Sequence, residues 1–182
     1  SQVDSEPGDS VAIVGAGPIG LLLLQAFRNV GAAPIVVSEL DDTRRELAAD
    51  LGADAVVDPE AVTDPVAAIE DAADGPVDVG VEAIGLAPTI RQANAVTAKG
   101  GSTLVFGVPA QDETLEISPF DVYFDEVDYR GSYSLTTADF ERAVTLLTHG
   151  RVEVDPIVTD RIGLDDLPWA FDRMANTEGL KH

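Results

Sequence analysis

The chain has 182 residues, a length typical of one domain, and its 33 acidic against 11 basic residues give a formal net charge of −22. That charge repels phosphates and argues against nucleic acid or an anionic membrane as a partner. The absence of cysteine excludes disulfides and thiolate metal sites, whereas the 45% hydrophobic content still allows a sizeable core.

The start of the chain does not have the composition of a secretory signal. Asp4, Glu6 and Asp9 stand where such a signal carries positive charge. The longest run without a polar side chain, 11–24, is shorter than the ~20 apolar residues that span a bilayer, and glycine and proline interrupt it. We therefore expect a soluble, cytoplasmic protein with no membrane partner.

Aspartate dominates the acidic excess, with 21 aspartates to 12 glutamates, while lysine occurs only at Lys99 and Lys181. One interpretation is a halophilic protein, in whose salt-rich cytoplasm the charge is screened over a short distance and short carboxylates hold water and cations. The other is an acidic domain from an ordinary cytoplasm. The halophilic interpretation predicts that low salt destabilises the fold through self-repulsion.

Short apolar runs alternate with helical patterns from Ser10 onward. Most runs are continuous, as expected for parallel strands covered on both faces. They predict six strands, at 11–14, 34–38, 55–57, 77–83, 103–107 and 127–132. Four predicted helices lie between the first five strands, at 19–30, 43–51, 64–72 and 89–97. This order predicts an α/β fold with a doubly wound parallel sheet, flanked by helices and joined by right-handed crossovers.

After the fifth strand the alternation ends. Segment 110–126 is predicted to be irregular with a short helical turn, and helices are predicted at 137–149 and at about 164–174. No repeat, low-complexity tract or linker divides the chain. We therefore expect residues 1–182 to form one domain.

A glycine-rich turn, Gly15-Ala-Gly17-Pro18-Ile19-Gly20, follows the first predicted strand. The G-x-G-x-x-G pattern alone is weak, but here it joins a strand to a helix within a βαβ unit, as in Rossmann dinucleotide-binding folds. Gly15 allows the tight turn, and Gly17 allows a pyrophosphate to approach the backbone. Gly20 allows the helix to pack closely against the strand. Backbone N–H groups at the helix start would hold the diphosphate, and Pro18, which lacks an N–H, is expected in the first helical turn.

An acidic residue, Glu39, follows Gly20 by 19 positions and ends the second predicted strand. A carboxylate there accepts hydrogen bonds from the 2′-hydroxyl of an adenosine ribose and repels a 2′-phosphate, which favours NAD over NADP. Arg44 and Arg45 weaken this preference, because either side chain could reach a phosphate. The alternatives are a different nucleotide-like ligand, such as S-adenosylmethionine, and a turn that binds nothing.

Two further strands end in glycine, at Gly85 and Gly107. Their backbone groups could hold the nicotinamide half of a dinucleotide at the carboxyl ends of the strands, or both could be ordinary turn glycines. Glu82, near one of these ends, is either an acid or base or a carboxylate held by backbone amides. His149, at the end of a predicted helix, is expected to have a surface role.

Five blocks of sequence together carry a family resemblance: 7–20, 45–54, 79–85, 100–108 with 130–132, and 155–166. In their order and spacing they resemble the coenzyme-binding domain of the medium-chain, zinc-dependent alcohol and polyol dehydrogenases, the group that includes L-threonine and sorbitol dehydrogenases. The resemblance extends over residues 8–182, nearly the whole chain.

The resemblance implies a role for each matching position. The pyrophosphate would lie along 15–20, and the adenosine half against Glu39, Leu40 and Arg44. The nicotinamide half would lie against Ala83, Ile84, Gly85, Phe106, Gly107, Val108, Ser132 and Tyr133. Lys181 stands where the family often has a basic residue near the pyrophosphate.

In this family a separate catalytic domain supplies the Cys, His and acidic zinc ligands, and nothing in this chain matches it. The resemblance therefore implies the cofactor-binding part of an enzyme that transfers hydride between NAD and a polyol or threonine-like alcohol. Catalytic and metal residues would be absent from this chain, which alone would be inactive. The alternatives are a stand-alone NAD-binding or sensing module and the domain of a zinc-free quinone reductase.

The resemblance also bears on association. The family commonly dimerises through the edge strand of this domain, here 127–132. Pairing would cover the open backbone groups of that strand, so we expect a homodimer or a higher homo-oligomer.

Overall fold

The computed structural model describes residues 3–175, with side chains over 3–173. Within this range the strands β1 to β6 are Val11–Val14, Ile35–Ser38, Ala55–Val57, Val77–Glu82, Thr97–Val105 and Asp128–Gly131. The helices α1 to α7 are Pro18–Val30, Asp42–Asp50, Pro65–Ala73, Ala87–Ala95, Pro119–Asp125, Thr137–Thr148 and Leu167–Ala175, and a 3-10 turn at Leu164–Asp166 precedes α7. Lys181 lies outside the described residues.

All six strands form one parallel sheet in the order β3-β2-β1-β4-β5-β6. The chain starts in the middle of this sheet, at β1, moves outward to β3, returns to β4 beside β1, and moves outward again to β6. The predicted Rossmann fold is therefore confirmed. β6 lies at the sheet edge, as the sequence predicts.

Alternate side chains of the strands pack into two cores, one on each face of the sheet. Val11 and Ile13 of β1 pack with Leu21 and Leu24 of α1 on one face, whereas Ala12 packs with Ile69 of α3 on the other. Because a strand reverses the direction of its side chains at every residue, a continuous apolar run serves both cores. This is why the strands read as uninterrupted hydrophobic segments.

β5 begins earlier than the sequence predicts. Thr97, predicted as the end of a helix, already pairs with Val77 of β4, and the strand reaches Ser102 opposite Val79 through an irregular stretch. The intervening sequence contains Gly100, with φ of 77°, which is typical of a turn. The predicted start at residue 103 is wrong because a bulge of loop-like composition lies inside the strand.

The carboxyl-terminal third of the described chain has little core of its own. α6 buries none of its side chains, and Phe140 on that helix is 59% exposed. Leu164, Trp169 and Phe171 also expose large parts of their apolar side chains. The segment predicted as irregular contains the short helix α5, and the last predicted helix is divided into the 3-10 turn and α7.

No helix within residues 3–175 has both the length and the apolar character needed to cross a bilayer.

Candidate functional site

The candidate site lies where β1 and β4 are neighbours in the sheet. From β1 the chain crosses to β2 on one side, and from β4 it crosses to β5 on the other. The connections after these two strands therefore diverge and leave a crevice beyond their carboxyl ends. Ligands of doubly wound sheets bind at such a switch point.

The glycine-rich turn forms one wall of this crevice. Gly15, with φ of 102°, donates its N–H to the Ser38 carbonyl at 2.8 Å, which ties the turn to the end of β2. A Cβ on Gly20 would overlap the carbonyl oxygen of Gly15. Only glycine at position 20 therefore allows α1 to start this close to β1. Pro18 occupies the first position of α1, as predicted.

The two helices that start at the crevice lack a side-chain cap. The N-cap residues of α1 and α4 are Gly17 and Leu86, and neither supplies a side-chain hydrogen bond. By contrast, α2, α3, α5 and α6 are capped by Asp41, Asp64, Ser118 and Thr136. A helix start without a side-chain acceptor presents N–H groups and the positive end of the helix dipole, the arrangement that binds an anion.

Glu39 joins the end of β2 to the glycine-rich turn. Its Oε2 accepts a hydrogen bond from the backbone N–H of Ala16 at 2.7 Å, while Oε1 accepts from the N–H groups of Leu40 at 2.9 Å and Asp41 at 3.1 Å. The side chain is almost fully buried. This carboxylate therefore lies directly beside the turn, and the sequence did not identify Ala16 as its partner, because any residue suits the position between the two glycines.

The two arginines after Glu39 have different environments. Arg45 donates to the Glu39 carbonyl at 2.6 Å and also forms ion pairs with Asp42 and, at 3.1 Å, with Asp58. Arg45 is thus tied into the junction of β2, α2 and the end of β3. Arg44 Nη1 lies 3.9 Å from Glu39 Oε2, at the site itself. Of the two arginines, Arg44 is therefore the one whose guanidinium lies beside the Glu39 carboxylate.

The ends of β4 and β5 form the opposite wall of the crevice. A Cβ on Gly15 would lie 2.6 Å from the Ile84 side chain, and one on Gly85 would lie 2.6 Å from the Val108 carbonyl oxygen. The β4 end therefore contacts both the glycine-rich turn and the β5 end. The structure thus brings these three predicted segments together.

Other predicted residues lie at the margins. Ser132 and Tyr133 follow β6 and line, with Phe106, an apolar groove of about 590 Å³ beside α1. The Tyr133 side chain is fully exposed, and Ile19 and Leu40 are also exposed. These positions offer surface around the crevice rather than a closed pocket.

Glu82 is fully buried at the carboxyl end of β4. Its Oε1 accepts hydrogen bonds from the N–H groups of Ile84 and Gly85 and from the hydroxyl of Thr89. The structure thus favours the carboxylate held by backbone amides over a solvent-facing acid or base. The sequence gives no signal that Thr89 belongs to this site, because a threonine in the first turn of a helix is common.

The donor set of the described residues does not fit a metal centre. Within residues 3–173 no three His, Asp or Glu side chains group as ligands of one ion, and the chain has no cysteine. Zinc chemistry therefore cannot be derived from these residues.

Comparison with known proteins identifies relatives of this arrangement. The zinc-binding dehydrogenase family model matches residues 18–149. The chain is 36% identical to (R,R)-butanediol dehydrogenase of Bacillus subtilis over 160 residues, which is 88% of this chain and 45% of that protein. It is 40% identical to geraniol dehydrogenase of Castellaniella defragrans over 181 residues, covering 96% of this chain and 48% of that one.

Solved structures of related proteins are also similar to this chain. A Sinorhizobium meliloti protein assigned to the zinc-binding dehydrogenases and bound to NADP superposes with a TM-score of 0.86 at 39% identity, covering 91% of this chain and 48% of that one. The butanediol dehydrogenase of Bacillus subtilis superposes with a TM-score of 0.84 at 34% identity, covering 94% and 49%. The chain thus spans about half the length of the relatives it matches. By fold, motif and sequence, it belongs to the zinc-binding dehydrogenase family.

Proposed function

We propose that this chain binds NAD across the crevice and is the coenzyme-binding half of an alcohol dehydrogenase acting on a polyol or threonine-like alcohol. One observation carries the proposal: the uncapped start of α1 lies beside the buried carboxylate of Glu39. The helix start suits the pyrophosphate, and the carboxylate suits the adenosine ribose.

Each predicted residue then has a place along the cofactor. The pyrophosphate would lie on Gly15, Gly17, Pro18, Ile19 and Gly20, and the adenosine half on Glu39, Leu40 and Arg44. The nicotinamide half would lie on Ala83, Ile84, Gly85, Phe106, Gly107 and Val108, with Ser132 and Tyr133 at the margin. Bound NAD would accept hydride from the alcohol carbon, and the residues of this chain would bind and orient it.

The preference for NAD over NADP rests on charge. A 2′-phosphate would bring its negative charge next to the Glu39 carboxylate, and the adjacent Asp41 increases the repulsion. Arg45 is neutralised by its own acidic partners. The similar Sinorhizobium protein binds NADP, so the choice must be tested on this chain.

Calorimetric titration of the chain with NAD, NADP and S-adenosylmethionine, at high salt, tests the proposal. We expect binding of NAD that is tighter than that of NADP and no binding of S-adenosylmethionine. Binding of S-adenosylmethionine alone would contradict the proposal. So would failure of both this chain and the full-length protein to bind NAD.

The catalytic half of the enzyme is proposed to cover the exposed apolar side chains of the carboxyl-terminal third. The side chains of Phe140, Leu164, Trp169 and Phe171 are 59%, 85%, 48% and 65% exposed, and grouped exposed apolar side chains mark surfaces that another domain or protein covers. The relatives are about twice as long as this chain, which provides the chain length for such a cover. Any catalytic zinc would then have its ligands in that half.

Association is proposed through β6. This strand is at the sheet edge, so one side of its backbone has no neighbouring strand within the described residues. Phe120 and Tyr123 of the nearby α5 expose apolar rings. An edge strand beside apolar side chains suits a two-fold interface, and we propose a homodimer in a salt-rich cytoplasm.

A further inference from the structure

Glu82 receives hydrogen bonds from both strand ends that form the second wall of the crevice. Its Oε1 accepts from Ile84 N–H at 2.8 Å, Gly85 N–H at 2.6 Å and the Thr89 hydroxyl at 2.8 Å. Its backbone carbonyl accepts from the N–H groups of Phe106 at 2.9 Å and Gly107 at 3.1 Å. One residue thus organises the turn after β4 and the exit of β5.

These two segments lie backbone against backbone. A Cβ on Gly85 would lie 2.6 Å from the carbonyl oxygen and 2.9 Å from the nitrogen of Val108. We call residues 83–85 and 106–108 the strand-end shelf. With backbones this close, a small movement of one segment displaces the other, so the contacts that hold the shelf determine its shape.

The hydrogen bonds to Glu82 also determine the polarity of the shelf. Because N–H and C=O point in opposite directions across a trans peptide, N–H groups of Ile84 and Gly85 that face Glu82 direct the carbonyls of Ala83 and Ile84 away from it. These two acceptors therefore lie on the side of the shelf that faces away from Glu82. Acceptors there would suit the amide and hydroxyl donors of a nicotinamide riboside.

The second carboxylate oxygen of Glu82 does not add a hydrogen bond that would stabilise the described part of the fold. Oε2 is buried and has no hydrogen-bond partner among the described residues, and a Cβ on Gly107 would lie 2.6 Å from it. An unpaired buried carboxylate oxygen lowers the stability of a fold. A neutral side chain would pack here with less desolvation, so stability alone does not explain a carboxylate at this position.

We propose that Glu82 is a positioning residue for the nicotinamide half of the dinucleotide. This role rests on the proposed NAD binding. Glu82 holds the strand-end shelf in one shape and polarity and does not itself contact the ligand. A charged acceptor holds its three donors about twice as strongly as a neutral one. The affinity contributed by the nicotinamide riboside thus depends on the charge of a buried residue.

The test compares ligands that differ in their nicotinamide end. Calorimetry on the full chain at high salt gives the dissociation constants of AMP, ADP and NAD. The ratio of the dissociation constant of ADP to that of NAD measures the affinity that the nicotinamide riboside contributes. In Glu82→Gln we expect this ratio to fall about tenfold, because a loosened shelf loses its preorganisation. The affinities for AMP and ADP, which lack the nicotinamide riboside, should stay unchanged.

Asp78→Asn provides the matched control. Asp78 is a carboxylate at the opposite end of the same strand, where its Oδ2 accepts from the N–H and hydroxyl of Ser10 at 2.8 and 2.7 Å. This variant should lose thermal stability and keep the wild-type ratio. A second variant, Thr89→Val, removes one donor to Glu82 Oε1 and keeps the charge of Glu82. It tests the proposal even if Glu82→Gln does not fold, and it should lower the ratio by a smaller factor.

An unchanged ratio in both Glu82→Gln and Thr89→Val would overturn the proposal, as would an equal loss of affinity for all three ligands. Both outcomes leave NAD binding by the wild-type chain intact. Failure of the wild-type chain to bind any of the three ligands would instead overturn the proposed function, and this inference with it.

Discussion

The carboxylate of Glu39 accepts a hydrogen bond from the backbone N–H of Ala16 at 2.7 Å. This bond spans the gap between the end of β2 and the turn after β1, two segments 23 residues apart in sequence. It places a negative charge at the edge of the proposed pyrophosphate site, near the uncapped start of α1. The proposed cofactor preference depends on that charge.

Replacing Glu39 by Gln should change the preference between cofactors. The neutral side chain keeps the size of glutamate, weakens the bonds to the ribose and no longer repels a 2′-phosphate, which Arg44 can then contact. We expect the affinity for NAD to fall about 10- to 100-fold, because hydrogen bonds to a charged group contribute about that much to binding. The ratio of NADP affinity to NAD affinity should rise. Calorimetric titration of both cofactors measures this.

Asp54→Asn is the control for that experiment. Asp54 Oδ2 accepts from the N–H of Ile35 at 2.7 Å at the opposite end of β2, so the variant loses a similar bond away from the crevice. It should keep the wild-type cofactor ratio. An unchanged ratio in Glu39→Gln would show that Arg44, and not Glu39, determines cofactor preference.

Gly20→Ala should disrupt the glycine-rich turn. The added methyl group would overlap the Gly15 carbonyl oxygen, so α1 must move away from β1. We expect a loss of about 1–3 kcal/mol of stability, typical of overpacking, and at least about tenfold weaker NAD binding. Chemical denaturation and titration give the two values.

Gly163→Ala controls for the loss of a glycine itself. Its Cβ would meet only the Asp166 side chain, at 3.6 Å, an ordinary contact. Both stability and NAD affinity should match the wild-type chain. Wild-type NAD affinity in Gly20→Ala would contradict the proposed pyrophosphate site.

Salt should stabilise the chain. With a net charge of −22, self-repulsion extends over about 10 Å at 0.1 M salt but only about 3 Å at 1 M. We expect the Tm to rise by about 10 °C between these concentrations of KCl, equivalent to about 3–5 kcal/mol for a domain of this size. Differential scanning calorimetry measures the shift.

Sucrose separates screening from general stabilisation, because it favours burial without screening charge. At matched osmolality it should raise the Tm less than KCl does. Equal effects of the two solutes, or a Tm independent of KCl, would favour an ordinary acidic domain over a halophilic one.

Phe171→Ser should have different effects in the chain and in the full-length protein. The side chain is 65% exposed here, so the free energy of unfolding of this chain should change by less than about 0.5 kcal/mol. If the catalytic half covers this ring, the full-length protein should lose about 2–4 kcal/mol. Denaturant melts of both proteins test this.

Phe27→Ala is the reference for a side chain buried in this chain itself. Phe27 belongs to the core beside α1, so the variant should destabilise both proteins. A negligible effect of Phe171→Ser in the full-length protein would place the catalytic half elsewhere.

Acid should weaken the cap of α6. Hydrogen bonds from the Thr136 hydroxyl and backbone N–H lower the pKa of the Asp139 carboxyl below its ordinary value. Because the folded pKa is the lower one, this stabilisation is present above the unfolded pKa of about 4 and is lost as the pH falls through the folded value.

Carbon-13 NMR titration of Asp139 should therefore give a depressed pKa. Thr136→Val should raise it, because the hydroxyl donor is the largest cause of the shift. Tyr129 lies on a different element, β6, where burial raises the pKa of its phenol, and this pKa should be the same in both proteins. Equal Asp139 pKa values in wild type and variant would contradict the cap.

The local sequence is sufficient to predict those parts of the site that lie within one supersecondary unit. The strand, turn and helix around Gly15 and Gly20, and the acid that ends β2, are encoded by apolar runs and by residues with particular backbone requirements. These signals act over a few residues. The sequence does not reveal the bulge inside β5, because Lys99, Gly100 and Gly101 have the composition of a loop. The pairing of the flanking Thr97 and Ser102 with β4 is a tertiary contact.

The order of strands and helices, the glycine-rich turn, the acid at position 39 and the family can all be predicted from the amino-acid sequence. Three features become visible only in the folded chain: Glu39 accepts from Ala16, α1 and α4 alone among the first six helices start without a side-chain cap, and Glu82 joins the ends of β4 and β5. Periodicity indicates which faces of an element are buried, but it does not indicate what packs against them. Strand order in a parallel sheet brings together residues far apart in the chain, and those contacts build the site.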